Sequence, residues 1–233
     1  MSVPYFYEPL IATGMTQFTL SETSSKHCVQ VLRMDVGEPI EITNGQGGLF
    51  HATIQVAHKK NTLVLITKSL QTDRPKQQLH LAISLLKNAV RLEWLFEKAT
   101  EIGVTSITPL VCERTIHERF KTERMQQIIQ SAMIQSQQTW LPVLNEPTPF
   151  EQFISKHTAS QKLIAHCEPL SKTLIKSIKP SDDLLLLIGP EGDFAPLEIE
   201  AAMANDYIPI DLGPTRLRTE TAGIFALSCL KNF

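Results

Sequence analysis

The chain has 233 residues, 42% apolar and 20% charged, with a formal net charge of -2. That composition suits a folded protein with a full core, and the length favours a small domain beside a larger one. A uniformly basic nucleic-acid binder is excluded: residues 1–125 hold 14 Lys and Arg against 12 Asp and Glu, and the remainder holds 8 against 12. Any RNA-binding surface must then be a local patch, drawn from cations such as Lys59, Lys60, Lys87, Arg91, Arg114 and Arg124.

Within residues 1–70, Ser21 is suited to cap a helix that has His27, Cys28, Val31 and Leu32 along one face and is stopped by Gly37 and Pro39. Residues 40–43 alternate, Asn44-Gly45 marks a tight turn, and residues 49–56 and 62–67 are rich in β-branched and apolar types. Together they predict a small β-barrel. The polar stretch 69–78 contains Pro75 and lacks periodicity, so the domain boundary is expected there, dividing residues 1–70 from 71–233.

Beyond that stretch the pattern changes to alternating strands and helices. Residues 79–85, 107–111, 163–165, 184–188 and 208–212 predict strands. Leu92, Leu95, Phe96, Ala99 and Ile102 fall at helical spacing before Gly103, a helix stop. Residues 122–138 predict a long helix with Met125, Ile128, Ile129, Ala132, Met133 and Ser136 inward, and further helices are expected near 150–157, 196–205 and 219–230. Such alternation implies a mostly parallel sheet with helices on both faces.

No apolar run approaches the roughly 20 residues that span a bilayer, so no membrane partner is expected. Met1–Glu8 has neither a basic start nor an apolar core, and the expected location is cytoplasmic. Cys28, Cys112, Cys167 and Cys229 lack metal-ligand spacing and read as buried reduced thiols. His27, His51, His58, His80, His117, His157 and His166 form no ligand cluster in sequence either, so no metal is expected.

Two glycine turns carry the chemistry. The apolar run 184–188 ends in Gly189-Pro190-Glu191-Gly192, and the run 208–212 ends in Gly213 and leads to Arg216-Leu217-Arg218-Thr219-Glu220-Thr221. The first turn lacks the Lys-Ser/Thr pair of a phosphate loop and carries a carboxylate, and neither has dinucleotide spacing. Such loops suit a ligand held by backbone hydrogen bonds, an adenosine moiety for example. Arg218 and Glu220 enter an apolar helix, which is costly unless they pair or bind something.

These residues resemble the cofactor-binding signature of the ribosomal RNA small subunit methyltransferase E family, within the SPOUT superfamily. The resemblance extends over nearly the whole chain, through His27 with Val31-Leu32-Arg33, Lys87 with Arg91-Leu92-Glu93-Trp94, residues 98–104, Glu113-Arg114-Thr115, and Gln135-Ser136 with Pro142. The chain departs from the pattern at Gln138 and Arg216, where bacterial members often carry Arg and Ile.

The resemblance implies a PUA-like β-barrel for RNA, then a SPOUT domain whose carboxyl-terminal loops form a trefoil knot around S-adenosyl-L-methionine at a homodimer interface. It implies methyl transfer to N3 of a uridine in small-subunit (16S) ribosomal RNA. Ile188, Gly189, Pro190, Glu191, Gly192, Leu212, Gly213, Leu217, Arg218 and Thr221 would hold the cofactor. Arg218 would stabilise the deprotonated base, and Glu220 would accept its proton or orient Arg218. Lys87, Arg91, Arg114 and Arg124 are the expected phosphate contacts. Two alternatives stay open: a ribose 2′-hydroxyl acceptor, disfavoured by the Leu217–Thr221 motif, and a non-catalytic assembly factor, disfavoured by intact glycine turns.

Overall fold

The computed structural model describes residues 3–116 and 119–231. Met1 and Ser2 of the amino-terminal reading, and His117 among the histidines, lie outside the described residues. The chain groups into two compact units, Met1–Arg74 with Met133–Leu141, and Pro75–Ala132 with Pro142–Phe233.

The first unit contains β1 (Tyr5–Tyr7), β2 (Gln17–Thr19), α1 (Glu22–Lys26), β3 (Pro39–Thr43), β4 (Gly48–Val56) and β5 (Leu63–Gln71). Its strands form one sheet in the order β1-β3-β4-β5-β2, antiparallel except for β1 beside β3. Period-two alternation sends Phe50, Ala52 and Ile54 of β4 into a core with Phe6, Ile40, Ile42 and Val64. At the predicted turn, the Asn44 Oδ1 accepts the N–H groups of Gln46 and Gly48 at 2.9 Å each, and Gly45 has φ +71.

Ser21 caps α1 as expected, its hydroxyl accepting the Ser24 N–H at 3.3 Å. The inward face differs from expectation. After Lys26 the chain widens into a π-helical turn over His27–Val31, which shifts the periodicity that placed four residues on one side. Cys28 alone of the four is buried, whereas Val31 and Leu32 are 62% and 41% exposed. The helix has ended before Gly37.

Residues 133–141 belong to this unit through main-chain bonds that a linear reading does not reveal. Gly47 N–H donates to the Thr139 carbonyl at 2.8 Å, Leu141 N–H to the Gly45 carbonyl at 2.9 Å, and the Trp140 indole to the Asp73 carbonyl at 2.9 Å. The β5 strand runs to Gln71, so the polar stretch from Ser69 begins inside it.

The second unit carries β6 (Gln78–Ser84), α2 (Ala89–Ile102), β7 (Ser106–Val111), most of α3 (Thr122–Gln135), β8 (Val143–Leu144), β9 (Thr148–Pro149), α4 (Phe150–Ile154), β10 (Gln161–Ala165), β11 (Thr173–Leu174), β12 (Asp183–Ile188), α5 (Pro196–Ala204), β13 (Ile208–Asp211) and α6 (Thr219–Leu230). Its sheet is parallel, in the order β11-β13-β10-β12-β6-β7-β8, with β9 also on β7. Leu184–Leu187 are fully buried, as strands covered on both faces require.

Particular residues account for three of the predicted helices. Asn88 Oδ1 caps α2 by accepting the Val90 N–H at 2.9 Å, and Gly103 ends it at φ +90. Pro196 starts α5, where its missing N–H costs nothing. In α6, a Cβ on Gly223 would lie 3.1 Å from Leu95 of α2 and 3.4 Å from Ile83 of β6, so the absent side chain permits close packing. Among the described residues no helix is long and apolar enough to cross a membrane.

Candidate active site

In an open parallel sheet, loops leaving the carboxyl ends of adjacent strands enclose a crevice. Here the ends of β10, β12 and β13 surround a cavity of about 840 Å³, within the ~300–1,000 Å³ typical of small-molecule sites. Both glycine turns line it. Of the residues expected to hold a cofactor, Ile188, Gly189, Pro190, Glu191, Gly192, Leu212, Gly213, Leu217 and Arg218 meet at its wall. Thr221 does not; it is exposed in the first turn of α6, and Thr219 and Ala222 line the cavity instead.

The turn after β12 is braced from three sides. Glu191 accepts the Lys87 backbone N–H at 3.1 Å, tying it to the loop after β6. The Arg114 guanidinium donates to the Gly192 carbonyl at 2.9 Å and the Phe194 carbonyl at 3.4 Å. Asp193, at φ +67, accepts the Cys167 N–H at 2.7 Å and the Phe194 N–H at 2.9 Å, which joins this turn to the end of β10. Asp193 escaped the sequence reading. Its signal was an Asp after Gly192, a residue type that tolerates the left-handed region by local hydrogen bonding.

Glu198 is another residue missed from sequence. Buried in the first turn of α5, it accepts the Ala195 N–H at 2.9 Å and the Glu113 N–H at 2.9 Å. It thereby holds the turn that carries Arg114. An acidic residue in the first turn after Ala195-Pro196 was the available clue.

The expected pairing of Glu220 with Arg218 gives way to a different one. Glu220 is buried, and its Oε1 lies 3.6 Å from Nε of Arg91 in α2. Arg218 is exposed at the N-cap of α6 and faces the cavity with Arg216. Arg91, expected as a phosphate contact, is thus the buried carboxylate's partner and also lines the cavity. Lys87 is exposed beside it, whereas Arg124 pairs on the surface with Glu93 at 2.9 Å. Gln138, the other departure from the family pattern, donates to the Ser136 hydroxyl at 2.9 Å within the first unit.

At the end of β10, His166 lines the cavity wall, is 7% exposed, and has no hydrogen-bond partner for either ring nitrogen among the described residues. Burial lowers its pKa, the Lys172 ammonium adds to this, and Asp193 and Glu168 oppose it. The ring is therefore neutral near pH 7. All four cysteines are free, and only Cys28 and Cys112 are buried; contrary to the sequence reading, Cys167, in the loop after β10, and Cys229, in α6, are exposed. Burial, helped by Glu198, pushes the Cys112 thiol up to about 12, which leaves it protonated and unreactive. Among the described residues no group of three His, Cys, Asp or Glu could hold a metal.

A model of the RNA methyltransferase domain matches residues 73–231, and one of the RNA methyltransferase PUA domain matches residues 20–67. The ribosomal RNA small subunit methyltransferase E of a Synechocystis strain is 31% identical over 217 residues, covering 90% of this chain and 71% of the relative. The chain belongs to the ribosomal RNA small subunit methyltransferase E family. The Bacillus subtilis member is 26% identical over 91% of this chain and 89% of its own length. Among solved structures, a methyltransferase from Legionella pneumophila in complex with S-adenosylmethionine superposes with a TM-score of 0.89 at 33% identity, covering 99% of this chain and 97% of its own. The family member from Neisseria gonorrhoeae, also bound to S-adenosylmethionine, gives 0.88 at 28% identity over 97% and 96%.

Proposed function

We propose that the chain transfers a methyl group from S-adenosylmethionine to N3 of a uridine in small-subunit ribosomal RNA. The cavity carries this reading: two glycine turns give it backbone walls, it contains no phosphate-loop chemistry, and cations stand at its rim. The cofactor-bound relatives from Legionella pneumophila and Neisseria gonorrhoeae support it. The residues fit the group. Backbone from Ile188 to Gly192 and from Leu212 to Leu217 would hold the adenosine part, and Gly213 has nothing within 4 Å of a notional Cβ, so the ligand can approach closely.

When bound, S-adenosylmethionine would supply a methyl carbon on a sulfonium, open to attack by a deprotonated N3 with the neutral thioether as the leaving group. The chain's part is to make N3 nucleophilic and to align it. Glu191 is our candidate for the proton acceptor, because it lines the cavity and one of its carboxylate oxygens has no protein partner among the described residues. Arg218 offsets the negative charge that develops on the base. Glu220, expected to take the proton or to orient Arg218, instead holds Arg91. Arg114 acts as a brace for the cofactor turn more than as a phosphate contact. The first unit would grip RNA as a PUA-like domain, the second unit would form the knotted methyltransferase domain, and the enzyme would act in the cytoplasm as a homodimer.

Calorimetry with S-adenosylmethionine and mass mapping of the methylated atom test the reading. Binding by the wild type is expected, with the methyl on a uracil nitrogen; Arg218→Ala should lower transfer about 100-fold. A methyl on a ribose oxygen, or full transfer by Arg218→Ala, would overturn it.

A further inference from the structure

A second cavity, of about 680 Å³, opens at the amino-terminal end of α2 and is lined by Lys87, Asn88, Val90, Arg91, Ile116 and Glu191. Two of these, Arg91 and Glu191, also line the larger cavity. The two spaces therefore adjoin at one cation and one carboxylate. Both groups have a protein partner: the Glu220 carboxylate lies 3.6 Å from Arg91 Nε, and the Lys87 N–H donates to one oxygen of Glu191.

The mouth has an unusual chemistry for a charged rim. Val90 and Ile116 are 71% and 69% exposed, two branched apolar side chains lining one cavity. Single exposed apolar residues need no explanation, but a pair beside cations forms a surface suited to a flat ring with a polar edge. Uracil is such a ring. Its pairing edge presents an acceptor, the N3–H donor and a second acceptor, and the cavity offers donors on Lys87 and Arg91 with an acceptor on Glu191. Cytosine presents a donor where uracil has O4, and its N3 is an acceptor, so it would face the Glu191 carboxylate with a lone pair.

We infer that this second cavity receives the acceptor uracil, unstacked from single-stranded RNA, with Val90 and Ile116 against the ring and N3 at the border with the larger cavity that Arg91 and Glu191 mark. Enzymes that act on a base must remove it from its stack, and RNA sequence is read mostly on such splayed bases. The inference rests on the methyl-transfer reading above. It reassigns Lys87 and Arg91 from phosphate contacts to contacts with the base.

The test uses the full chain with S-adenosylmethionine and small-subunit ribosomal RNA in which 4-thiouridine replaces uridine. Crosslinks are expected on the peptide spanning residues 87–91 or on Ile116. Val90→Trp and Ile116→Trp fill the cavity from exposed positions; each should keep cofactor affinity unchanged while kcat/KM for RNA falls about 100-fold. Wild-type kcat/KM in both variants, or crosslinks confined to other peptides, would overturn the inference. Absence of cofactor binding by the wild type would instead remove the reading on which it rests.

Discussion

The two glycine turns look alike in sequence and differ in how they are held. The turn after β12 is tied to the loops after β6, β7 and β10 by Glu191, Arg114 and Asp193, and it stands on the fully buried Phe194. The turn after β13 has one described bond of its own, from Gly213 N–H to Asp211 Oδ1 at 2.9 Å, until the Arg218 carbonyl accepts the first bond of α6. A cavity with one preset wall and one lightly tied wall binds its ligand partly by fit and partly by ordering. Substitutions in the first turn should then be read out in folding, and those in the second in ligand affinity.

The largest effect is expected from Gly189→Ala. Its Cβ would lie 2.9 Å from the Phe194 ring and 3.1 Å from the Phe194 backbone nitrogen. Phe194 cannot retreat, because Phe150 packs against it at 5.3 Å between centroids. Overpacking of this kind costs about 3 kcal/mol, measured as a fall in the denaturation midpoint with unchanged slope. Next comes Asp193→Ala, which removes two charge-assisted bonds and puts alanine at φ +67. A loss of about 2 kcal/mol is expected, with Asp193→Asn recovering only part of it: asparagine tolerates that conformation, but its one amide oxygen accepts a single N–H where Asp193 uses both oxygens. If Asp193→Ala left stability untouched, the first turn would not be the braced one.

Local and periodic signals made much of this legible. The run at 184–188, the stop at Gly103 and the helix that begins at residue 196 each have a cause within a few residues, and each appears as expected. That the two turns line one cavity was also legible, because a strand end and a glycine define each. What escaped were partnerships across the fold. Nothing near Glu220 names Arg91, which is 129 positions away, and the obvious neighbour Arg218 turned to solvent. Residues 133–141 likewise join the first unit by main-chain bonds to Gly45 and Gly47, atoms common to every residue type and silent in sequence. The π-helical turn at His27–Val31 failed for the opposite reason: the signal was local, but the period assumed for it was wrong.

The smallest effect, and the one that sharpens the comparison most, is Gly213→Ala. Gly213 has φ +116, and an added Cβ would meet nothing within 4 Å, so the cost is backbone strain alone, about 1 kcal/mol. Where that energy is lost depends on whether the turn holds its shape without ligand. If it does, the strain is present in both free and bound protein, and stability drops while cofactor affinity stays constant. If the turn relaxes when free, the strain appears on binding only, so the melting temperature holds and Kd rises about fivefold, the ratio that 1 kcal/mol sets. The single Asp211 bond favours the second outcome. Paired melting and calorimetry on Gly213→Ala would decide it, and a lower melting temperature with wild-type Kd would make the second turn as preset as the first.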